Sequence, residues 1–75
     1  MKPLVEFIAR SLVDDPDAVE VNEREAGRTT IVELTVAPDD TGKVIGREGR
    51  VAKALRNILR VAGNRQHRRV ILEID

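Results

Sequence analysis

Apolar positions in the opening stretch PLVEFIARSLV return at helical spacing: Leu4, Val5, Ile8, Ala9 and Leu12 share one side. Pro3 suits the first turn of a helix, where its missing N–H is not needed. Pro16 disfavours helix at the residue before it, Asp15. The spacing therefore predicts a helix over residues 3–13, with Phe7 in or near the core. The period then changes from helical to alternating. In AVEVNERE (18–25), Val19 and Val21 face one way, Glu20 and Asn22 the other. In TTIVELTV (29–36), Val32, Leu34 and Val36 oppose Glu33 and Thr35. Two alternating runs about the glycine of AGR read as a β-hairpin.

APDDTGKVI follows. Pro38 with Asp39 and Asp40 behind it is a helix start, because acids favour the positive end of the helix dipole. Gly46 keeps this helix short. After GREG, residues 50–62 predict a longer helix with Gly63 as its C-cap. NRQHR is a polar loop, and RVILEI closes as a strand with Val70, Leu72 and Ile74 on one face. The order is α-β-β-α-α-β. The second and last strands are joined by a two-helix crossover and are expected to be parallel, with the hairpin partner antiparallel. That predicts a two-layer α+β domain, a three-stranded mixed sheet with helices on one face.

On a wheel of about 100° per residue, the long helix divides. Lys53, Arg56, Asn57 and Arg60 share one side, with Arg50 at its margin. Val51, Leu55, Ile58 and Ala62 centre the other side. Ala54 and Val61 lie on one shoulder of the apolar side, Ala52 and Leu59 on the other. This side is wider than one core contact needs, so either both shoulders flank the sheet core or one of them, Ala54 and Val61, is a candidate dimer interface.

Composition narrows the picture. The chain has 75 residues, enough for one domain (1–75), and no cysteine. A domain this small buries only about 60% of its unfolded surface, and no disulfide or thiolate–metal site supplements the core. A second copy or a partner subunit could supply more burial. No stretch approaches the roughly 20 apolar residues of a membrane span. The N-terminal run, interrupted by Glu6 and Arg10, is amphipathic rather than a signal sequence. A cytoplasmic protein with no membrane association is expected.

The formal net charge is zero, with 13 basic and 13 acidic residues, but the signs are segregated. Residues 1–42 hold four basic and ten acidic residues, whereas residues 43–69 hold nine basic residues and one acid, Glu48. Such asymmetry points to a polyanion partner, or to a solvated basic helix face.

The basic stripe begins at Gly46-Arg47-Glu48-Gly49. Glycine reaches backbone angles that other residues avoid and leaves room for a phosphate beside the main chain. The residues after it open a helix, whose free N–H groups and dipole favour anions. Arg47 and Arg50 can add charge-assisted hydrogen bonds to phosphate oxygens. A plain interhelical turn is the alternative for a G-x-x-G taken alone.

Other chemistry finds no footing. Gly42-Lys43 lacks the following Ser or Thr and the earlier glycine of a nucleotide P-loop. His67 is the only histidine and lies among arginines, and Ser11 has no base in view. Asp14, Asp15 and Asp17 lack calcium-loop spacing. No enzyme, metal or cofactor is expected. With Phe7 as the only aromatic, a base-stacking platform cannot be built, so any RNA site needs aliphatic walls.

VIGREGRVAKAL resembles the KH-domain signature, in which an aliphatic pair precedes G-x-x-G and an amphipathic helix follows. With the α-β-β-α-α-β order and the chain length, the resemblance is to small bacterial type II KH proteins of the KhpA family. It covers essentially the whole chain. It implies single-stranded RNA binding, as an RNA chaperone or post-transcriptional regulator, with Gly46, Arg47, Glu48 and Gly49 clamping the backbone of about four nucleotides. It implies a groove floor of Val44, Ile45 and Val51. Lys43, Arg50 and Lys53 would add attraction, and Arg65 and Arg68 of the last loop would meet phosphate. It also implies pairing as a homodimer, or as a heterodimer with a larger KH-containing RNA-binding protein. One departure is the inner pair Arg47-Glu48, since a carboxylate beside a phosphate track lowers affinity.

Overall fold

The computed structural model describes residues 1–75. Helix α1 (Lys2–Leu12) has proline in its first turn and ends at Val13, whose backbone is extended. A 3₁₀ turn, Pro16–Ala18, leads into β1 (Glu20–Ala26). Gly27, at φ 61°, turns the chain into β2 (Thr29–Thr35). A second 3₁₀ turn, Pro38–Asp40, opens onto α2 (Thr41–Ile45); α3 (Arg50–Arg65) and β3 (Arg69–Ile74) complete the chain. The sheet order is β1-β2-β3. β1 pairs antiparallel with β2, and β2 pairs parallel with β3, with Val32 opposite Leu72. The expected α+β topology is present.

The core takes one face of this sheet and one line from each helix. Val5 and Ala9 of α1, Val44 of α2 and Leu55 and Leu59 of α3 pack with Val21, Val32, Leu34 and Leu72. No helix is long and apolar enough to cross a membrane.

Three expectations change. Phe7 is 72% exposed rather than near the core. Val5 and Ala9 set the inward line of α1, and a residue two positions from each lies about 200° away, on the solvent side. In α3 the core takes Ala52, Leu55, Leu59 and Gly63, so the helix is rotated toward one shoulder. Ile58 (46% exposed) and Val61 (52% exposed) are left outside.

Gly63 is not the cap of α3. The helix runs on to Arg65, and Gly63 is buried within it. A Cβ there would lie 2.6 Å from Val70 Cγ2 and 2.7 Å from the Arg68 carbonyl oxygen, so only glycine lets the helix close onto β3. The cap is formed further on, by Gln66 and the left-handed residue after it. The Arg68 N–H donates to the Gly63 carbonyl (2.8 Å) and the His67 N–H to that of Asn64 (3.2 Å), while His67 takes φ 57°. This is a Schellman motif with histidine at the left-handed position that glycine usually fills.

Candidate nucleic-acid interface

The loop begins where α2 runs out. Val44 is completely buried and holds α2 to the core. The Gly46 N–H closes the helix onto the Gly42 carbonyl (2.9 Å). Gly46 then takes φ 78°, and a Cβ on it would sit 2.8 Å from Val51 Cβ. The chain therefore turns tightly over the start of α3 only because this residue is glycine. Gly49, at φ 74°, donates its N–H back to the Gly46 carbonyl (3.1 Å). Glu48 is held at φ 57°, an unusual conformation for a residue with a side chain.

Arg47 and Glu48 are exposed at the tip. No side chain caps the N-terminus of α3; the Glu48 carboxylate instead approaches Arg50 at 3.5 Å. From the loop, exposed Arg50, Lys53, Arg56 and Arg60 run along α3 at spacings of three and four. Their stripe leads into an open groove of about 750 Å³ between α3 and β3, lined by Arg56, Asn57, Arg60, Asn64, His67, Arg69 and Ile71 among others. β3 is an edge strand. Arg69 and Asp75 donate inward, to the Arg28 and Leu34 carbonyls of the neighbouring strand segment. The alternation of a parallel ladder then turns the backbone groups of Val70, Leu72 and Ile74 toward the groove.

Not every residue read from the sequence reaches this surface. Gly46 to Arg50 and Lys53 do, Arg65 is exposed at the end of α3, and Ile45 is 38% exposed beside the loop. Val51 is half-buried against Gly46. Val44 has no exposed surface and cannot floor a groove, because it fills the inward position of α2. Lys43 is turned into carboxylates, donating to Asp14 and to Asp40 Oδ1 (3.1 Å). Arg68 does line the groove, but its guanidinium is held by structural contacts. Its Nε–H donates to buried Thr30 Oγ1 (2.7 Å), and its terminal nitrogen reaches the Gly27 and Thr29 carbonyls (both 3.3 Å). It thus latches the hairpin turn to the start of β3. Ala54 and Val61 are both exposed, on the outer shoulder of α3.

Asp40 is only 2% exposed. Burial pushes its carboxyl up, but hydrogen bonds from Lys43 and from the Asp15 and Asp14 backbones outweigh this and hold it below its ordinary value. Lys43 is held above its ordinary value by its hydrogen bonds to Asp14 and then Asp40, against the opposite pull of burial.

Sequence reasoning placed the groove on Val44, Ile45 and Val51 beside the last loop, and missed its β3 wall. It found the stripe of Arg56, Asn57 and Arg60 but gave it no facing wall, because Arg69 and Ile71 are brought against it only by the turn at residues 66–68. No three His, Asp or Glu residues are grouped to hold a metal.

A G-x-x-G turn between two helices, inside an α-β-β-α-α-β chain with the last strand parallel to the second, defines a KH domain. Comparison with known families agrees: the model described as KhpA/KhpB, KH domain, matches residues 2–74, and the chain belongs to that family. Among similar curated proteins, one from Halalkalibacterium halodurans is 55% identical over 99% of this chain and 97% of its own. One from Caldanaerobacter subterraneus subsp. tengcongensis is 53% identical over 99% of both. One from Chlamydia trachomatis is 45% identical over 99% of this chain and 95% of its own. Each carries the name RNA-binding protein KhpA. No solved structure matches the chain significantly.

Proposed function

We propose that this chain binds single-stranded RNA, as an RNA chaperone or post-transcriptional regulator, and is not an enzyme. The observation that carries the reading is the unbroken basic path from the Gly46–Gly49 turn along α3 into the α3–β3 groove. Phosphates run over the turn, where Gly46 and Gly49 allow close approach and Arg47 and Arg50 pair with oxygens. Bases lie in the groove against Ile71 and the open edge of β3, with Asn57 and Asn64 as polar contacts. The names of the relatives support the ligand class. The 75 residues act as one domain, in the cytoplasm.

The test is replacement of Arg47-Glu48 by Asp-Asp. Both side chains are exposed, so the fold persists. Affinity for short single-stranded RNA falls at least about tenfold, the scale of losing one or two charged hydrogen bonds and adding repulsion. Amide shifts at residues 46–50 on RNA titration disappear. Undiminished affinity would remove the turn from the site.

A second reading is favoured by the exposed shoulder Ala54, Ile58 and Val61. It supports self-association, or pairing with a larger KH-containing protein, alongside RNA binding. A dimer-sized tumbling time in the same spectra is its signature.

A further inference from the structure

α2 has five residues, too few to hold a helix unaided. Val44 anchors one side of it in the core. The other anchor is polar. Asp40 Oδ2 accepts the N–H of Asp15 (3.1 Å), Asp40 Oδ1 accepts from Lys43 (3.1 Å), and Lys43 reaches on to Asp14. The segment after α1 is thereby tied to the start of α2 by two contacts, Asp15 to Asp40 and Asp14 to Lys43, and the Asp40–Lys43 pair links them. Ile45, the last residue of α2, joins directly to Gly46. Any loosening of α2 is therefore passed to the loop.

We propose that Asp40 and Lys43 are positioning residues for the Gly46–Gly49 turn, acting on RNA affinity through α2 and without touching RNA. The inference rests on the RNA-binding reading for its readout in affinity, but concerns the turn itself. Simple electrostatics predicts otherwise at both positions. A carboxylate close to a phosphate track should oppose binding, and a lysine there should attract it by contact. Lys43 does not have that freedom, since its ammonium is committed to two carboxylates, and Asp40 is buried.

Asp40→Asn, Lys43→Gln and Lys43→Arg in the full chain separate these accounts. Binding of a short random-sequence single-stranded RNA is followed by fluorescence anisotropy across a salt series, with the folded fraction measured at the same temperature. Asp40→Asn and Lys43→Gln weaken binding by about two- to thirtyfold, the range for substitutions that act on a site through structure. Asp40→Asn does so although it removes a negative charge. Lys43→Gln leaves the salt dependence unchanged, and Lys43→Arg, which keeps the ion pairs, restores affinity. Tighter or unchanged binding by Asp40→Asn overturns the proposal. So does a salt slope reduced by about 0.7 in Lys43→Gln, the mark of one lost phosphate contact to a single strand. Lys43 is partly exposed, so its variants stay folded should Asp40→Asn fail to. Amide exchange at Gly46 to Arg50 gives the independent arm. Faster exchange there in Lys43→Gln, with the centre of α3 unchanged, supports the tie even if the wild-type chain binds no RNA. Unchanged exchange refutes the tie whatever the RNA does.

Discussion

Gly63 and His67 occupy each other's expected places. Glycine inside a helix ordinarily destabilises it by about 1 kcal/mol relative to alanine, and a left-handed cap ordinarily wants glycine. Here the helix interior needs glycine because β3 passes too close for a Cβ. The cap carries a histidine at φ 57°. Gly63→Ala is therefore expected to destabilise by about 1–3 kcal/mol, as overpacking does, rather than stabilise. His67→Gly is expected to stabilise by about 0.5–1 kcal/mol, the left-handed strain relieved less the added chain entropy. Thermal unfolding followed by circular dichroism reads both. Each 1 kcal/mol moves the midpoint by about 4–8 °C in a domain of this size. Neither feature was legible in the sequence. A glycine followed by polar residues looks like a helix end, and only the approach of Val70 and the Arg68 carbonyl distinguishes the two uses.

Among the elements, those with strong internal periodicity were legible. The hairpin, the parallel return of β3 and the two longer helices follow from alternation, spacing and the crossover rule. The rotation of α3 did not follow. Its apolar side spans more than one core contact, and the choice of Ala52 and Leu59 over Ile58 is made by the sheet beneath it. The anchoring of α2 was hidden for another reason: the partners of Lys43 and Asp40 include residues 29 and 25 positions away. This polar anchor carries a pH signature. Asp40 is depressed below its ordinary 3.8, so its contribution is present above about pH 4 and is lost as pH falls through its folded value. Lys43 is raised above 10.5, so its contribution is present below about pH 10 and is lost as pH rises through its folded value. Between these limits the anchor is intact. The melting temperature of wild type should exceed that of Asp40→Asn by a constant margin from about pH 5 to 9, shrinking below about pH 4. A margin that persists at pH 2 would mean that Asp40 acts through its shape, not its charge.

At the scale of the molecule, the loop of the candidate site was legible and the strand wall of the groove was not. G-x-x-G declares itself in four residues. The groove needs a helix face and a strand edge brought together by the turn at residues 66–68, where sequence patterns carry least. Arg68 illustrates the difficulty. It reads as one more free cation, yet its guanidinium is enclosed by Thr30 and the hairpin carbonyls. The sheet order places β3 and its groove, with Arg56, Arg60 and Arg69 against Glu73, at one edge, and β1, with Glu20, Glu23 and Glu25 against Arg24, at the other. Because the opposite charges cancel in total, the chain has little pull on a distant polyanion. Beyond a Debye length of about 8 Å at physiological ionic strength, its field is largely screened. What remains at close range is a dipole lying across the sheet. An approaching RNA exerts a torque on it, turning the arginine edge inward and the glutamate edge outward, so that selection for the productive orientation begins in the encounter itself.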